Sequence, residues 1–186
     1  MMKVLAFAAS SSKQSINAQL VRYAGSLIRD ADVEYLDIND YEMPLFSVDR
    51  LKEMGMPEAA KRFYNRIGQA DALLISFAEH NGSFTAAYKS LYDWTSQISA
   101  KVFQEKPVVM LSTSPGGRGG ASVLETAVTT GGHFGAKVMA SMSVPKFYDN
   151  FDTDAGIISN PDINAELTIA LASLFEIKDP KHSEIA

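Results

Sequence analysis

Ser10, Ser12, Ser15 and Asn17 stand close together between an apolar run, Val4-Leu5-Ala6-Phe7, and a helix-periodic segment. Hydroxyl and amide donors at that spacing suit a phosphate held without strong positive charge. A strand that runs through a hydroxyl-rich turn into a helix presents the free N–H groups of the first helical turn, where the dipole favours an anion. Phosphate binding is therefore one reading of the stretch Ala8-Ala9-Ser10-Ser11-Ser12-Lys13-Gln14-Ser15-Ile16-Asn17. A plainer reading also fits: Ser15 is a helix N-cap and the other serines are turn residues.

Two more turns carry candidate chemistry. In Glu79-His80-Asn81-Gly82, residues Asn81 and Gly82 tolerate unusual backbone angles, so main-chain N–H groups can face a flat ligand, and His80 can lie against a ring. An ordinary turn with a solvent-facing histidine fits the same residues. Ser114-Pro115-Gly116-Gly117 offers backbone donors to a carbonyl-rich ring edge, or is a mobile loop. Arg118 faces an anionic ring or a phosphate on the first view, and solvent on the second.

Several chemistries are excluded. The first turn has no G-x-G-x-x-G, the dinucleotide fingerprint, and no G-K-[ST], the mark of a P-loop. It has no Cys or Asp nucleophile of the phosphatase kind. No G-x-S-x-G elbow follows a strand. What remains is binding a phosphate without attacking it. His133 and His182 have no neighbouring histidine or clustered carboxylates, so they read as structural or surface residues and no metal site is proposed. Lys89 and Asp93 are four apart on a helix and can pair, in the less favourable order. Trp94 beside Tyr92 reads as a subunit contact or as core, and we lean to the contact.

Elements must bring these turns together. Apolar runs predict strands at 3–7, 33–36, 72–77, 106–112 and 136–142. Helical periods or start signals predict helices at 15–29, from Pro57 to about 67, 84–98, 121–129 and 161–174. Residues 41–56 and 145–160 read as long loops, and loops of that length are often functional. The tail 178–186 is polar and reads as frayed. Strands and helices alternate, which predicts α/β architecture: one domain over 1–186, with a parallel sheet covered by helices on both faces. In such sheets ligands sit beyond the carboxyl ends of the strands. The turns after the first, third and fourth strands would then share one crevice, as a nucleotide-like ligand requires.

The bulk properties agree. A chain of 186 residues with 46% hydrophobic and 21% charged residues suits an ordinary globular domain. The net charge of −5 argues against a nucleic-acid binder. The absence of cysteine excludes disulfides, thiolate catalysis and Cys-ligated metal. No apolar run approaches bilayer-spanning length, and Met1-Met2-Lys3 runs straight into strand-like sequence, so neither a membrane partner nor a signal peptide is expected and the cytoplasm is the default location.

Taken together, the three turns resemble the NADPH-dependent FMN reductase family, a flavodoxin-like group that includes quinone, chromate and azo-dye reductases. The resemblance runs over residues 3–144. The family's first loop, G-S-x-R-x-x-S-x-N, is matched by Ser10, Ser15 and Asn17, with Ser12 where many members carry Arg. Its P-E-Y-N-x-S, followed by L-K-N-x-x-D-W, is matched by Ala78-Glu79-His80-Asn81-Gly82-Ser83 and Tyr88-Lys89-Ser90-Leu91-Tyr92-Asp93-Trp94, with Ala78 for Pro and His80 for Tyr. Ser114-Pro115-Gly116-Gly117 is similar to its Gly-rich turn, and Met43-Pro44-Leu45-Phe46 to its L-P-L-[YF] stretch.

The resemblance implies a doubly wound five-stranded parallel sheet of order 2-1-3-4-5. It implies FMN held by Ser10, Ser12, Ser15, Ile16 and Asn17, by Ala78, Glu79, His80, Asn81 and Gly82, and by Ser114, Pro115, Gly116 and Gly117. NADPH or NADH would be the electron donor, and a quinone, azo compound, flavin or similar small molecule the acceptor. No side chain need act as acid or base, so no catalytic residue is named. A homodimer or homotetramer is implied. A flavodoxin-like electron carrier, binding FMN without oxidising NAD(P)H, has the same fold; the long segments 41–56 and 145–160 favour the enzyme. A binding protein on this fold without flavin affinity is the third reading.

Overall fold

The computed structural model describes residues 1–176; the predicted frayed tail and His182 lie outside the described residues. The large sheet is built from β1 (Met2–Ala9), β2 (Ala31–Leu36), β3 (Ala72–Phe77), β6 (Lys106–Thr113) and β7 (Ala136–Val144). The β4 (Glu79–His80) and β5 (Ser83–Phe84) strands form a hairpin, and β8 (Phe151–Asp152) and β9 (Ile157–Ile158) form a second small ribbon. Every pairing in the large sheet is parallel and the order is β2-β1-β3-β6-β7. Counting only these strands, that is the predicted 2-1-3-4-5 order of a flavodoxin-like sheet.

β3 lies at the centre, and all six of its residues are buried, which is why it reads as an unbroken apolar run. The two-residue alternation of β1 serves both faces. Leu5, Phe7 and Ala9 join one core with Phe63, Ile67, Tyr88, Leu91 and Val123; Val4, Ala6 and Ala8 join the other with Leu20, Val21, Leu167 and Leu171. The first core therefore lies under α3 (Glu58–Gln69), α4 (Ala86–Ser96) and α5 (Ala121–Gly131). The second lies under α1 (Ile16–Ser26) and α7 (Pro161–Ala172). In β7 the register slips between Val108 and Val109 of its partner strand, so Met139 has no opposite residue.

The structure departs from the expected elements in the long segments. Residues 41–56 are not a plain loop: they hold α2 (Val48–Met54), whose cap Ser47 accepts a hydrogen bond from the Arg50 N–H at 3.1 Å. No α2 residue is buried, so the helix leaves no apolar period to read. Residues 145–160 hold the four-residue α6 (Phe147–Asn150) and the β8–β9 ribbon.

Trp94 corrects the reading of a subunit contact. It is fully buried, its indole N–H donates to the Pro44 carbonyl at 2.7 Å, and Phe46 meets it edge-on at 5.1 Å. It pins the 43–46 segment to α4 inside the chain. Lys89 and Asp93 do pair, at 2.7 and 2.9 Å. His133 is exposed on the surface, edge-on to Phe134.

Candidate cofactor cleft

β1, β3 and β6 are neighbours in the sheet, so the loops leaving their C-terminal ends meet. They enclose a cleft of about 260 Å³. Ser10, Ser12, Ser15, Ile16 and Asn17 line it from the first loop, Ala78, Glu79 and His80 from the second, and Ser114 and Pro115 from the third. The predicted convergence of three separate turns is thus present in one place.

The first loop presents donors and no cation. Ser15 caps α1, its Oγ accepting from the Ala18 N–H at 3.2 Å, and Ser10 Oγ accepts from the Ser12 N–H at 3.3 Å. Both serines are buried, and both use oxygen lone pairs in these bonds, so their hydroxyl protons remain to be donated. The N–H groups of Ile16 and Asn17 occupy the first two helical positions, which have no carbonyl partner within a helix. Lys13 lines a neighbouring hollow with Arg22 and Asp37 rather than this cleft. The set is a cluster of neutral donors at a helix N-terminus, which fits a phosphate.

Asn17 lines the cleft and also binds inside the protein. Its amide is committed inside the protein: Nδ2 donates to the Thr113 carbonyl at 3.1 Å, while Oδ1 accepts from the Thr113 N–H at 3.0 Å and from Ser76 Oγ at 2.8 Å. For the cleft it has its backbone N–H and the second Nδ2 proton. Glu79 is likewise engaged, accepting from the Val123 N–H at 3.0 Å. The N-cap of α5 is Gly120, which has no side chain to cap with, so the carboxylate of another loop caps the helix and meets its dipole favourably.

Asn81, Gly82, Gly116 and Gly117 do not line the cleft. Asn81 and Gly82, at φ 53° and 76°, are the two-residue turn of the β4–β5 hairpin; their left-handed angles shape that turn. Gly116 and Gly117 are exposed, and the Gly116 carbonyl accepts from the N–H groups of Gly119 and Lys146 at 3.2 and 2.9 Å. With the Phe147 N–H bonded to the Ser114 carbonyl at 3.1 Å, these bonds tie the loop down; it is braced rather than free. Gly119 is required at its position: a Cβ there would lie 2.7 Å from the Val144 backbone, and its φ is 57°. Arg118 is exposed and does not line the cleft.

Three cleft residues were not singled out by the sequence. Gln14 lies inside a stretch that was, and Thr113 directly before one. Tyr148 is different: it stands on α6 with its ring 65% exposed at the cleft, facing the same space as His80. The signals for it are the long segment 145–160 that holds it and its position shortly after the C-terminal end of β7, on the ligand side of the sheet.

The comparisons with known proteins agree with this geometry. The model of a family described as NADPH-dependent FMN reductase matches residues 2–149. An NADPH:quinone oxidoreductase of Arabidopsis thaliana is 31% identical over 126 residues, 66% of this chain and 63% of that protein. An NAD(P)H-dependent FMN reductase of Pseudomonas aeruginosa is 33% identical over 115 residues, 61% of this chain and 60% of that protein. The chain thus covers less than two thirds of the length of either relative. The solved structure of FerB, a flavoenzyme NAD(P)H:(acceptor) oxidoreductase from Paracoccus denitrificans, matches the fold with a TM-score of 0.73 at 24% identity, over 94% of this chain and 95% of that one. The family match takes in all three loops that enclose the cleft and the whole five-stranded sheet, and the chain belongs to the NADPH-dependent FMN reductase family.

Proposed function

We propose that the chain is a single FMN-binding domain that acts as an NAD(P)H oxidoreductase toward a small electron acceptor such as a quinone, an azo compound or a flavin. The observation that carries this reading is the first loop. Two buried serines with uncommitted hydroxyl protons and two helix-terminal N–H groups open into a cleft that two further loops complete. This donor set fits the phosphate of FMN, and Ala78, His80, Ser114 and Pro115 supply the walls for its ring.

Bound there, FMN would supply the hydride-accepting and electron-passing chemistry between NAD(P)H and the acceptor. The protein's share is placement. Ser10, Ser12 and Ser15 hold the phosphate by hydroxyl donation, with the α1 dipole behind them. Asn17 and Glu79 keep the three loops in register through their side chains. Tyr148 and His80 shape the open side, where a nicotinamide and then an acceptor take turns. The family's donors and acceptors are small, and among the described residues no helix is long and apolar enough to cross a membrane. A homodimer or homotetramer in the cytoplasm completes the proposal.

The test is an absorbance spectrum of the purified protein with FMN, followed by anaerobic NADPH and, separately, NADH. A protein-bound flavin band that bleaches is the expected result. Bound flavin that neither nicotinamide reduces would make the chain an electron carrier. No flavin binding would sink both redox readings.

A further inference from the structure

A second hollow, of about 140 Å³, opens beside the first loop, between α1 and the end of β2. Ser10 and Ser12 line both this hollow and the cofactor cleft, so the two spaces adjoin at the hydroxyls that suit a phosphate. The donors of the first loop that face the cleft are neutral. The hollow is charged: Lys13, Arg22 and Asp37 all line it.

Its charges are not used up within the protein. Among the described residues neither Lys13 nor Arg22 forms an ion pair, although the chain carries a net charge of −5. Asp37 spends one carboxylate oxygen on Asn39, accepting from its N–H and its Nδ2 at 2.9 Å each, and among the described residues its Oδ2 accepts nothing. Tyr35 supplies a flat wall. Its hydroxyl donates to the Arg22 carbonyl at 3.1 Å, so the ring lies across α1, with the residue 44% exposed. Gly25, in the last turn of α1, makes room for it: a Cβ there would run into the Tyr35 hydroxyl, with ring carbons at 3.0 and 3.1 Å. Glycine weakens a helix, and a ring that merely covered the surface would not need that seat. Burial pushes the Tyr35 phenol's pKa up and the Arg22 guanidinium pulls it back, as a cation close to the ring does.

We propose that this hollow binds an adenosine phosphate, its phosphate on Lys13 and Arg22, a ribose hydroxyl on Asp37 and its base against Tyr35. Two cations select a phosphate, the spare carboxylate oxygen selects a sugar hydroxyl beside it, and the ring selects a flat base. The inference rests on placing the phosphate of FMN at Ser10, Ser12 and Ser15. The chemistry of that cleft brings two groups of this class to its edge. One is the adenylate half of FAD, whose phosphate follows directly on that of FMN. The other is the phosphorylated adenosine end of NADPH.

Calorimetry on the unmodified protein, Lys13→Gln and Arg22→Gln tests it, with FMN and FAD on the apoproteins and with NADP+ and NAD+ on the FMN-loaded proteins. Both residues are exposed, so neither change should disturb the fold. If FAD supplies the group, it binds about tenfold or more tightly than FMN, and each variant removes about five- to tenfold of its affinity while leaving FMN unchanged. If NADPH supplies it, FAD and FMN bind alike, NADP+ binds about tenfold more tightly than NAD+, and each variant closes most of that gap. Either pattern is the expected result. FMN affinity that falls in the variants as far as FAD affinity would turn the cations to the FMN phosphate and overturn the proposal. So would FMN binding with no gain for FAD and no preference for NADP+, which leaves the cofactor cleft standing. Absence of FMN binding would remove the cleft reading and this one together.

Discussion

The side chain of Asn17 grips both polar ends of Thr113, donating to its carbonyl at 3.1 Å and accepting from its N–H at 3.0 Å. Both residues are buried, and Ser76 Oγ adds a third bond from the central strand. One amide thus fastens the start of α1, the end of β3 and the end of β6, the three elements whose loops form the cleft. Asn17→Ala leaves an N–H, a carbonyl and a hydroxyl without partners in a dry site. A loss of about 2–4 kcal/mol in folding stability is expected, read by denaturant unfolding with unchanged m. A loss below about 1 kcal/mol would mean that water replaces the amide and that the fastening is weak.

Glu79 performs the corresponding service for α5. Glu79→Ala should cost about 1 kcal/mol, and Glu79→Gln, which keeps an acceptor but not the charge, about half of that. The sharper readout is local: amide exchange at Val123 should quicken in the Ala variant more than at mid-helix Ala127. Uniform quickening along α5 would argue for global loosening instead.

The sheet was legible because its strands are buried on both faces and its helices carry one apolar stripe: β3 and α3 announce themselves residue by residue. Ser15 was legible for a similarly local reason, since a cap acts within one turn. Asn17–Thr113 and Glu79–Val123 were not, because partners 96 and 44 residues apart leave no period in the sequence. Ten of the motif residues line the cleft, and two of them, Asn17 and Glu79, also hold the loops together. α2 escaped notice because it buries nothing, and Tyr148, inside the segment 145–160 that was read as functional, was not picked out by itself because one exposed ring on a four-residue helix has no pattern.

Ser12 and Ser15 separate ligand binding from folding. Among the described residues the exposed Ser12 hydroxyl makes no hydrogen bond, so Ser12→Ala should weaken FMN about five- to tenfold with stability unchanged. Ser15→Ala removes the α1 cap as well and should lose about 1 kcal/mol of stability beside a similar loss of affinity. Flavin titration and thermal melts of the apoprotein read the two effects. Equal affinity for FMN in both variants and the parent would remove the phosphate from this loop.

Tyr148 tests the open side of the cleft. Its ring is 65% exposed and packs edge-on against Phe147 at 5.4 Å, so Tyr148→Ala should shift stability by no more than about 0.5 kcal/mol. Steady-state kinetics should show KM for the nicotinamide or the acceptor rising several-fold, with FMN affinity nearly constant. An unchanged KM for both would leave His80 as the ring that matters there.

Tyr88 also gives the protein a defined alkaline weakness. Its pKa is raised from the ordinary value of 10.0 by burial, so the folded chain holds a proton that the unfolded chain releases. Unfolding above pH 10 therefore releases a proton, and stability must fall as pH rises through that range, by up to about 1.4 kcal/mol per pH unit for this one group. Below pH 10 both states hold the proton and the contribution is flat. Tyr92 is raised in the same direction, by burial first and then by Tyr88 and Asp93, and steepens the fall. Denaturant unfolding between pH 8 and 11.5 should show this decline, and Tyr88→Phe should flatten it by the share of one proton. A decline that the variant leaves untouched would mean that the Tyr88 phenol ionises as readily in the folded chain as in the unfolded one.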